Sequence, residues 1–370
     1  MLNNIGVDLY MTNIKPLVLD MFCGCGGLSR GFMDAGYEVV LGIDHDEAAL
    51  KSFKANHGNA EAVKLDLFLP ESIDEIEKII GNRQIDVLVG GPPCQGFSLA
   101  GPRNEEDDRN KLYKAMVEVA NRLKPKVVVL ENVPGLAKLY GGKAKKRIYE
   151  DFEELGYTMN DKVLYAPEYG IPQIRKRIFF VGVLNGDEKF EYPNPTHTEE
   201  NFVTCKDAIG DLPPLNGDSL GETPTEYIME PMTDYQKLMR KNSELIYNHI
   251  GTKHTDKVVH LISLVPEGKN YKSLPEELQE GIKYNEALTR YHSEKPSRTI
   301  DTGHRTHFHY KWNRIPTARE NARLQSFPDD FIFYGNKTQQ YRQVGNAVPP
   351  MLGYHLGKKI LDYIKADEEK

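Results

Sequence analysis

Short runs of aliphatic and β-branched residues alternate with amphipathic stretches through the first half of the chain, and the first run ends in Phe22-Cys23-Gly24-Cys25-Gly26-Gly27. That alternation prescribes βα units and a parallel sheet, because a strand buried on both faces reads as a continuous apolar run. Strands are expected at 17–22, 39–44, 63–65, 86–90, 126–130 and 177–184, and helices at 27–36, 46–57, 72–80, 110–124 and 350–364. The fold class is α/β, with a doubly wound sheet. From about Asn185 the pattern breaks at Tyr192-Pro193-Asn194-Pro195 and Leu212-Pro213-Pro214-Leu215, so a second, smaller domain is expected there.

Composition narrows the class. The 370 residues, 39% hydrophobic and 27% charged, suit a globular chain with a large core. The longest uncharged run, 87–102, holds four glycines and three prolines, so it is no bilayer-spanning helix. The polar first 15 residues carry no signal pattern, and a cytoplasmic location is the expectation. Four cysteines make no disulfide framework. The net charge of -7 argues against a polyanion as partner until local charge is counted. The stretch from Arg298 to Arg323 has six basic residues against Asp301 and Glu320, a net +4, and Lys138 to Arg147 has five basic residues and no acid.

The glycine-rich turn lies at the carboxyl end of the first strand and opens a helix, which is where a nucleotide-like cofactor binds in such sheets. GxGxxG is not met, because Ser29 holds the third glycine position, and this disfavours a nicotinamide dinucleotide. Asp44 closes the second strand, placed for ribose hydroxyls, and Asp66 follows the third, within reach of an adenine amino group. Their ordinary reading is strand-end acids around a tight turn. Cys23 and Cys25 lack a second pair, and His304, His307 and His309 have no carboxylate or cysteine grouped with them, so no metal is expected.

Gly90-Gly91-Pro92-Pro93-Cys94-Gln95-Gly96-Phe97-Ser98 follows a buried strand. Two prolines fix the backbone ahead of the thiol and glycines free it beyond, as a nucleophile on a closing loop requires. Glu131 ends the next parallel strand, so thiol and carboxylate should converge on one crevice. Arg175 and Arg177 precede and enter the last strand of this half, and alternation sends them the same way, one of them toward Glu131.

Together these motifs resemble the DNA cytosine-5 methyltransferases. The resemblance rests on 20–27, Gly91-Pro92-Pro93-Cys94-Gln95, Asp108-Arg109 with Leu112, Glu131-Asn132-Val133, Gln173-x-Arg175-x-Arg177, 319–328, and Gln343-Val344-Gly345-Asn346-Ala347-Val348-Pro349-Pro350. Asp44 departs from the family, which more often has glutamate there. The resemblance implies an S-adenosylmethionine-dependent methyltransferase sheet made of 1–184 plus 340–370, and a target-recognition domain with its hinge at 185–339. It implies Cys94, Glu131, Arg175 and Arg177 as catalytic. Phe22, Gly24, Gly26, Gly27, Asp44, Asp66, Leu67, Pro92, Leu112, Asn346 and Val348 would hold S-adenosylmethionine. Gln95, Ser98, Arg305 and Arg314 would touch double-stranded DNA, with phosphate contacts from the basic stretch beginning at Arg298. The implied protein is a monomer that methylates a flipped-out cytosine through a Cys94–C6 adduct, beside a restriction endonuclease acting on the same site. A tRNA cytosine-5 methyltransferase shares the catalytic motifs, but its Cys-Phe-Thr tripeptide does not occur here. A catalytically dead DNA-binding relative is disfavoured because Cys94, Glu131 and Arg177 are intact.

Overall fold

The computed structural model describes residues 15–93, 112–215, 220–281, 287–303 and 306–368. Its centre is a seven-stranded sheet of β1 (Leu17–Met21), β2 (Glu38–Asp44), β3 (Glu61–Lys64), β4 (Val87–Gly90), β5 (Val127–Asn132), β6 (Tyr157–Tyr165) and β7 (Lys176–Leu184). The order is β3-β2-β1-β4-β5-β7-β6. The first five strands are parallel, and β7 runs antiparallel to both β5 and β6. The expected doubly wound α/β sheet is present, with β6 as an unexpected edge strand.

Alternation assigns the two faces. Val18, Val87, Val89, Val127 and Val129 share one core with α1 (Gly27–Ala35) and α2 (Glu47–Asn56). Leu19, Leu88, Val128 and Leu130 face the other way, against α3 (Glu71–Ile80), α4 (Leu112–Leu123) and α5 (Lys143–Glu153). The other α-helices among the described residues are α6 (Cys205–Ile209), α7 (Asp234–Arg240), α8 (Asp256–Ser263), α9 (Ala318–Leu324), α10 (Lys337–Asn346) and α11 (Pro350–Glu368). Leu352, Leu356 and Ile360 return α11 to the α1 face. The two helices cross backbone to backbone: a Cβ on Gly31 would stand 2.2 Å from the Pro350 carbonyl oxygen, and one on Gly353 would stand 2.5 Å from that of Leu28. Only glycine permits that approach.

The later region has two further cores. Cys205, Ile209, Tyr235, Met239, Ala322, Leu324, Phe327 and Val344 gather around Cys25, which binds this region to the glycine-rich turn. Ile262, Val265, Leu274, Phe308 and Ile315 form the smaller one. No helix among the described residues is long and apolar enough to cross a membrane.

Candidate active site

The carboxyl ends of β1, β2, β4 and β5 open on one cleft of about 490 Å³. After β1 the chain turns sharply, with φ of 58° at Phe22, 54° at Gly24 and 90° at Gly26. At Gly24 this left-handed backbone points the amide at β2, where it donates to Asp44 Oδ2 at 2.8 Å. Asp44 Oδ1 accepts from the amides of His45 at 2.7 Å and Asp46 at 2.9 Å. Asp44 therefore braces the turn as well as facing the cleft.

Phe22, Gly24, Gly27, Asp44, Pro92, Asn346 and Val348, all expected at a cofactor, line the cleft. Four others do not. Gly26 faces away, and a Cβ there would stand 2.1 Å from the His57 ring. Asp66 is exposed, its carboxylate accepting from the Phe68 amide at 3.1 Å. Leu67 and Leu112 pack in the core on the far side of the sheet. Asp20 was legible only as part of the turn motif, yet it is the most unusual group in the cleft. It is 2% exposed, Oδ2 has no hydrogen-bond partner, and burial, with Asp44 nearby, pushes the carboxyl up to about 7. A carboxylate closing an apolar strand was the available signal.

Glu131 and Arg177 meet as alternation requires. Glu131 pairs with Phe179 in the β5–β7 register, so Arg177, two residues away, is its diagonal neighbour on the same face. Arg177 Nε donates to Glu131 Oε1 at 2.8 Å. Burial pushes the Glu131 carboxyl up, and Arg177 with Arg175 offsets this only in part. A Cβ on Gly91 would stand 3.1 Å from Glu131 Oε2, and Asn132 Nδ2 holds the Pro92 carbonyl at 3.0 Å. The segment leading to residue 94 is thus strapped across the carboxylate. Cys94, Gln95, Ser98 and Arg305 lie outside the described residues.

Two arginines lie away from the cleft and the surface. Arg175, expected to be catalytic, is 1% exposed and does not reach the cleft. It donates to the carbonyls of Gly345 at 3.0 Å, Ala347 at 3.1 Å and Ile300 at 3.3 Å, so it ties the carboxyl end of α10 to the sheet. Alternation failed because Arg175 lies before β7, where the period of two has not begun. Arg314, expected at DNA, is 6% exposed and bonds Glu320 through both oxygens, at 2.7 and 2.6 Å. Arg319 and Arg323 are buried too. Arg323 pairs with Asp211 and Asp329, and Arg319 lies 3.7 Å from Asp329. Arg298 alone of the described arginines in that stretch faces a hollow, of about 410 Å³, shared with Lys269 and Lys272. His307 stacks on Tyr291, and burial pushes the His309 imidazole down to about 3.

A family model for C-5 cytosine-specific DNA methylases matches residues 17–362. The chain belongs to that family. It is 39% identical over 346 residues to the Type II methyltransferase M1.HphI of Haemophilus parahaemolyticus, across 93% of this chain and 86% of the relative. Identity to the Type II methyltransferase M.DdeI of Desulfomicrobium norvegicum is 34% over 376 residues, covering 94% and 89%. A solved Escherichia coli chain, described as a DNA modification methyltransferase encoded within a prophage, superposes with a TM-score of 0.79 at 26% identity, covering 95% of this chain and all of that one. The enzyme methylates cytosine at C5 in DNA.

Proposed function

We propose that the cleft methylates a cytosine flipped out of duplex DNA, with S-adenosylmethionine as methyl donor and Cys94 as nucleophile. The observation that carries this reading is the Glu131–Arg177 pair at 2.8 Å, strapped beneath the segment that leads to Cys94 and continuous with the glycine-rich cleft. The residues fit the cofactor, because the unpartnered Asp20 oxygen awaits a donor and S-adenosylmethionine carries an ammonium. Asp44, Phe22 and Asn346 line the same space. When bound, the cofactor supplies an electrophilic methyl group.

Cytosine C5 is a weak nucleophile. Addition of the Cys94 thiolate to C6 pushes the electron pair of the C5–C6 bond toward C5 and the ring nitrogen N3. A free thiol is only a few per cent ionised at neutral pH, so the Cys94 thiolate requires basic groups beside it or proton loss coupled to binding of the base. Glu131 is suited to N3, since burial shifts its carboxyl toward the protonated form, the form that can donate where negative charge develops. Arg177 orients Glu131 and presents further N–H groups to the base oxygen O2. Methyl transfer to C5, loss of the C5 proton and departure of the Cys94 thiolate restore the ring. A stacked base is out of reach of this chemistry, and flipping costs a few kcal/mol.

The sheet with α11, 1–184 plus 340–370, then acts as the catalytic domain, and 185–339 as the target-recognition domain with its hinge. The separate core around Ile262 and Phe308 supports that division. The Type II names of the relatives support service in a restriction-modification pair. Bisulfite sequencing of unmethylated DNA after incubation with protein and S-adenosylmethionine tests the reading. Protection of one cytosine in a recurring sequence is the expected result, and uniform conversion would overturn it.

A further inference from the structure

Charge is distributed unevenly in the cofactor cleft. Asp20, Asp44, Asp46 and Glu131 all line it. Of the basic side chains that line it among the described residues, Arg177 is engaged by Glu131 and His45 lies 3.3 Å from Asp44. Arg342 remains. It is exposed, it lines the cleft, and no hydrogen bond or ion pair joins its side chain to any described residue. It sits on α10 one turn before Asn346, and the i, i+3, i+4 spacing puts Arg342, Gly345 and Asn346 on one face. All three border the cleft.

S-adenosylmethionine presents an ammonium and a carboxylate on one carbon, beside a sulfonium. Its positive groups suit an acidic cleft, and the unpartnered Asp20 oxygen marks a place for one of them. Its carboxylate is repelled by the same four acids unless a positive group meets it. Two features of the cleft offer one. Helix α1 begins without a side-chain cap and with no acid in its first turn, and Gly27 and Leu28 face the cleft, so its free N–H groups favour an anion. Helix α10 lies against the turn before it, the Cys25 thiol standing 3.8 Å from the Gln343 carbonyl oxygen. Arg342, one residue before Gln343, lines the same cleft.

We propose that Arg342 receives the terminal carboxylate of the adenosyl cofactor, closing it against the start of α1. The inference rests on the cofactor reading above and adds to it the residue that recognises the amino-acid end. Arginine suits the task because its planar fork meets a carboxylate with two parallel N–H bonds. Because the side chain is exposed, added salt should weaken its contribution.

The test is calorimetric titration of the intact protein with two ligands, without DNA. S-adenosylhomocysteine carries the carboxylate, and S-adenosyl-3-thiopropylamine lacks it while keeping adenosine, sulfur and amine. Arg342→Ala should weaken the first by about ten-fold and leave the second unchanged. Arg342→Lys should fall between the two proteins for the first ligand. Equal affinity of wild type and Arg342→Ala for S-adenosylhomocysteine overturns the proposal, as does an equal loss for both ligands. A variant with unchanged S-adenosylhomocysteine affinity and a shallower salt dependence of duplex binding would reassign Arg342 to a DNA phosphate. Wild type binding neither ligand would overturn the cofactor reading itself, a result distinct from either variant outcome.

Discussion

Among the described residues, the Arg314–Glu320 and Arg177–Glu131 pairs share one chemistry under opposite conditions. Glu320 lies in the packed interior and spends its acceptors on protein: both oxygens bond Arg314, Oε2 also accepts the Thr317 amide at 2.7 Å, and His309 stands 3.6 Å away. Despite burial, Arg314 and His309 hold its carboxyl well below the usual range. Glu131 bonds Arg177 through Oε1, while Oε2 lies beneath Gly91 at the cleft, and its carboxyl is raised. A pair whose lone pairs are all spoken for holds a fold together. A pair with an unused oxygen on a cleft has capacity left for a substrate.

If that contrast is right, the largest effect belongs to the buried pair. Glu320→Ala strands the Arg314 guanidinium inside the protein and should cost about 3–5 kcal/mol of folding stability, read by denaturant unfolding. Because the folded Glu320 carboxyl is depressed, its contribution is complete above the unfolded value near ~4.3 and fades as pH falls. Glu320→Gln should therefore flatten the acid limb of a stability–pH curve. An unchanged midpoint in Glu320→Ala would break the comparison from the structural side.

Next in size, Glu131→Gln keeps the shape but not the acid, and single-turnover methyl transfer should fall by about 100-fold or more with cofactor affinity and unfolding midpoint little changed. Unaltered turnover would break the comparison from the catalytic side.

A smaller effect sharpens the account at Asp20. Its raised carboxyl favours the protonated form of the unliganded protein, so this group lowers stability as pH climbs from its ordinary range toward about 7. A ligand that brings an ammonium favours the carboxylate instead. Binding of S-adenosylhomocysteine at about pH 6 should release a fraction of a proton, measured as a dependence of titration heat on buffer ionisation enthalpy, and Asp20→Asn should abolish it. Heat independent of buffer in the wild type would contradict the assignment.

The smallest effect concerns DNA. With Arg314, Arg319 and Arg323 buried, phosphate contacts must come from exposed cations such as Lys269, Lys272 and Arg298 around their hollow. Lys272→Ala should reduce the slope of log affinity against log salt by about 0.9, leaving turnover at saturating DNA unchanged. A slope identical to wild type would remove that hollow from the interface.

The same contrast explains what sequence could show. The central parallel strands were legible because they are buried on both faces and therefore read as unbroken apolar runs, as at Val87–Gly90 and 127–130. Edge strand β6 was not, because Asn160-Asp161-Lys162 breaks the alternation of Tyr157 and Met159. Helix α9 misled in the other direction: every residue of Ala318–Leu324 is buried, including Arg319, Glu320, Asn321 and Arg323, and a run so polar reads as surface until its partners, Asp211 and Asp329, come from elsewhere in the chain. Counting charge finds cations. It does not find which are already neutralised. At the cleft, Glu131 and Arg177 were legible because strand period and residue chemistry agree, whereas the orphaned oxygen of Asp20 and the solitary position of Arg342 exist only once the chain is folded.

The central claim is that Glu131 and Arg177 serve a cytosine attacked by Cys94. DNA with 5-fluorocytosine at the target position measures this most directly, because fluorine cannot leave as the C5 proton does and the adduct is trapped. With cofactor present, intact-protein mass spectrometry should find one DNA-linked species in the wild type, none in Cys94→Ser, and formation slowed about 100-fold in Glu131→Gln. An adduct that survives Cys94→Ser, or that forms at the wild-type rate in Glu131→Gln, would contradict the account.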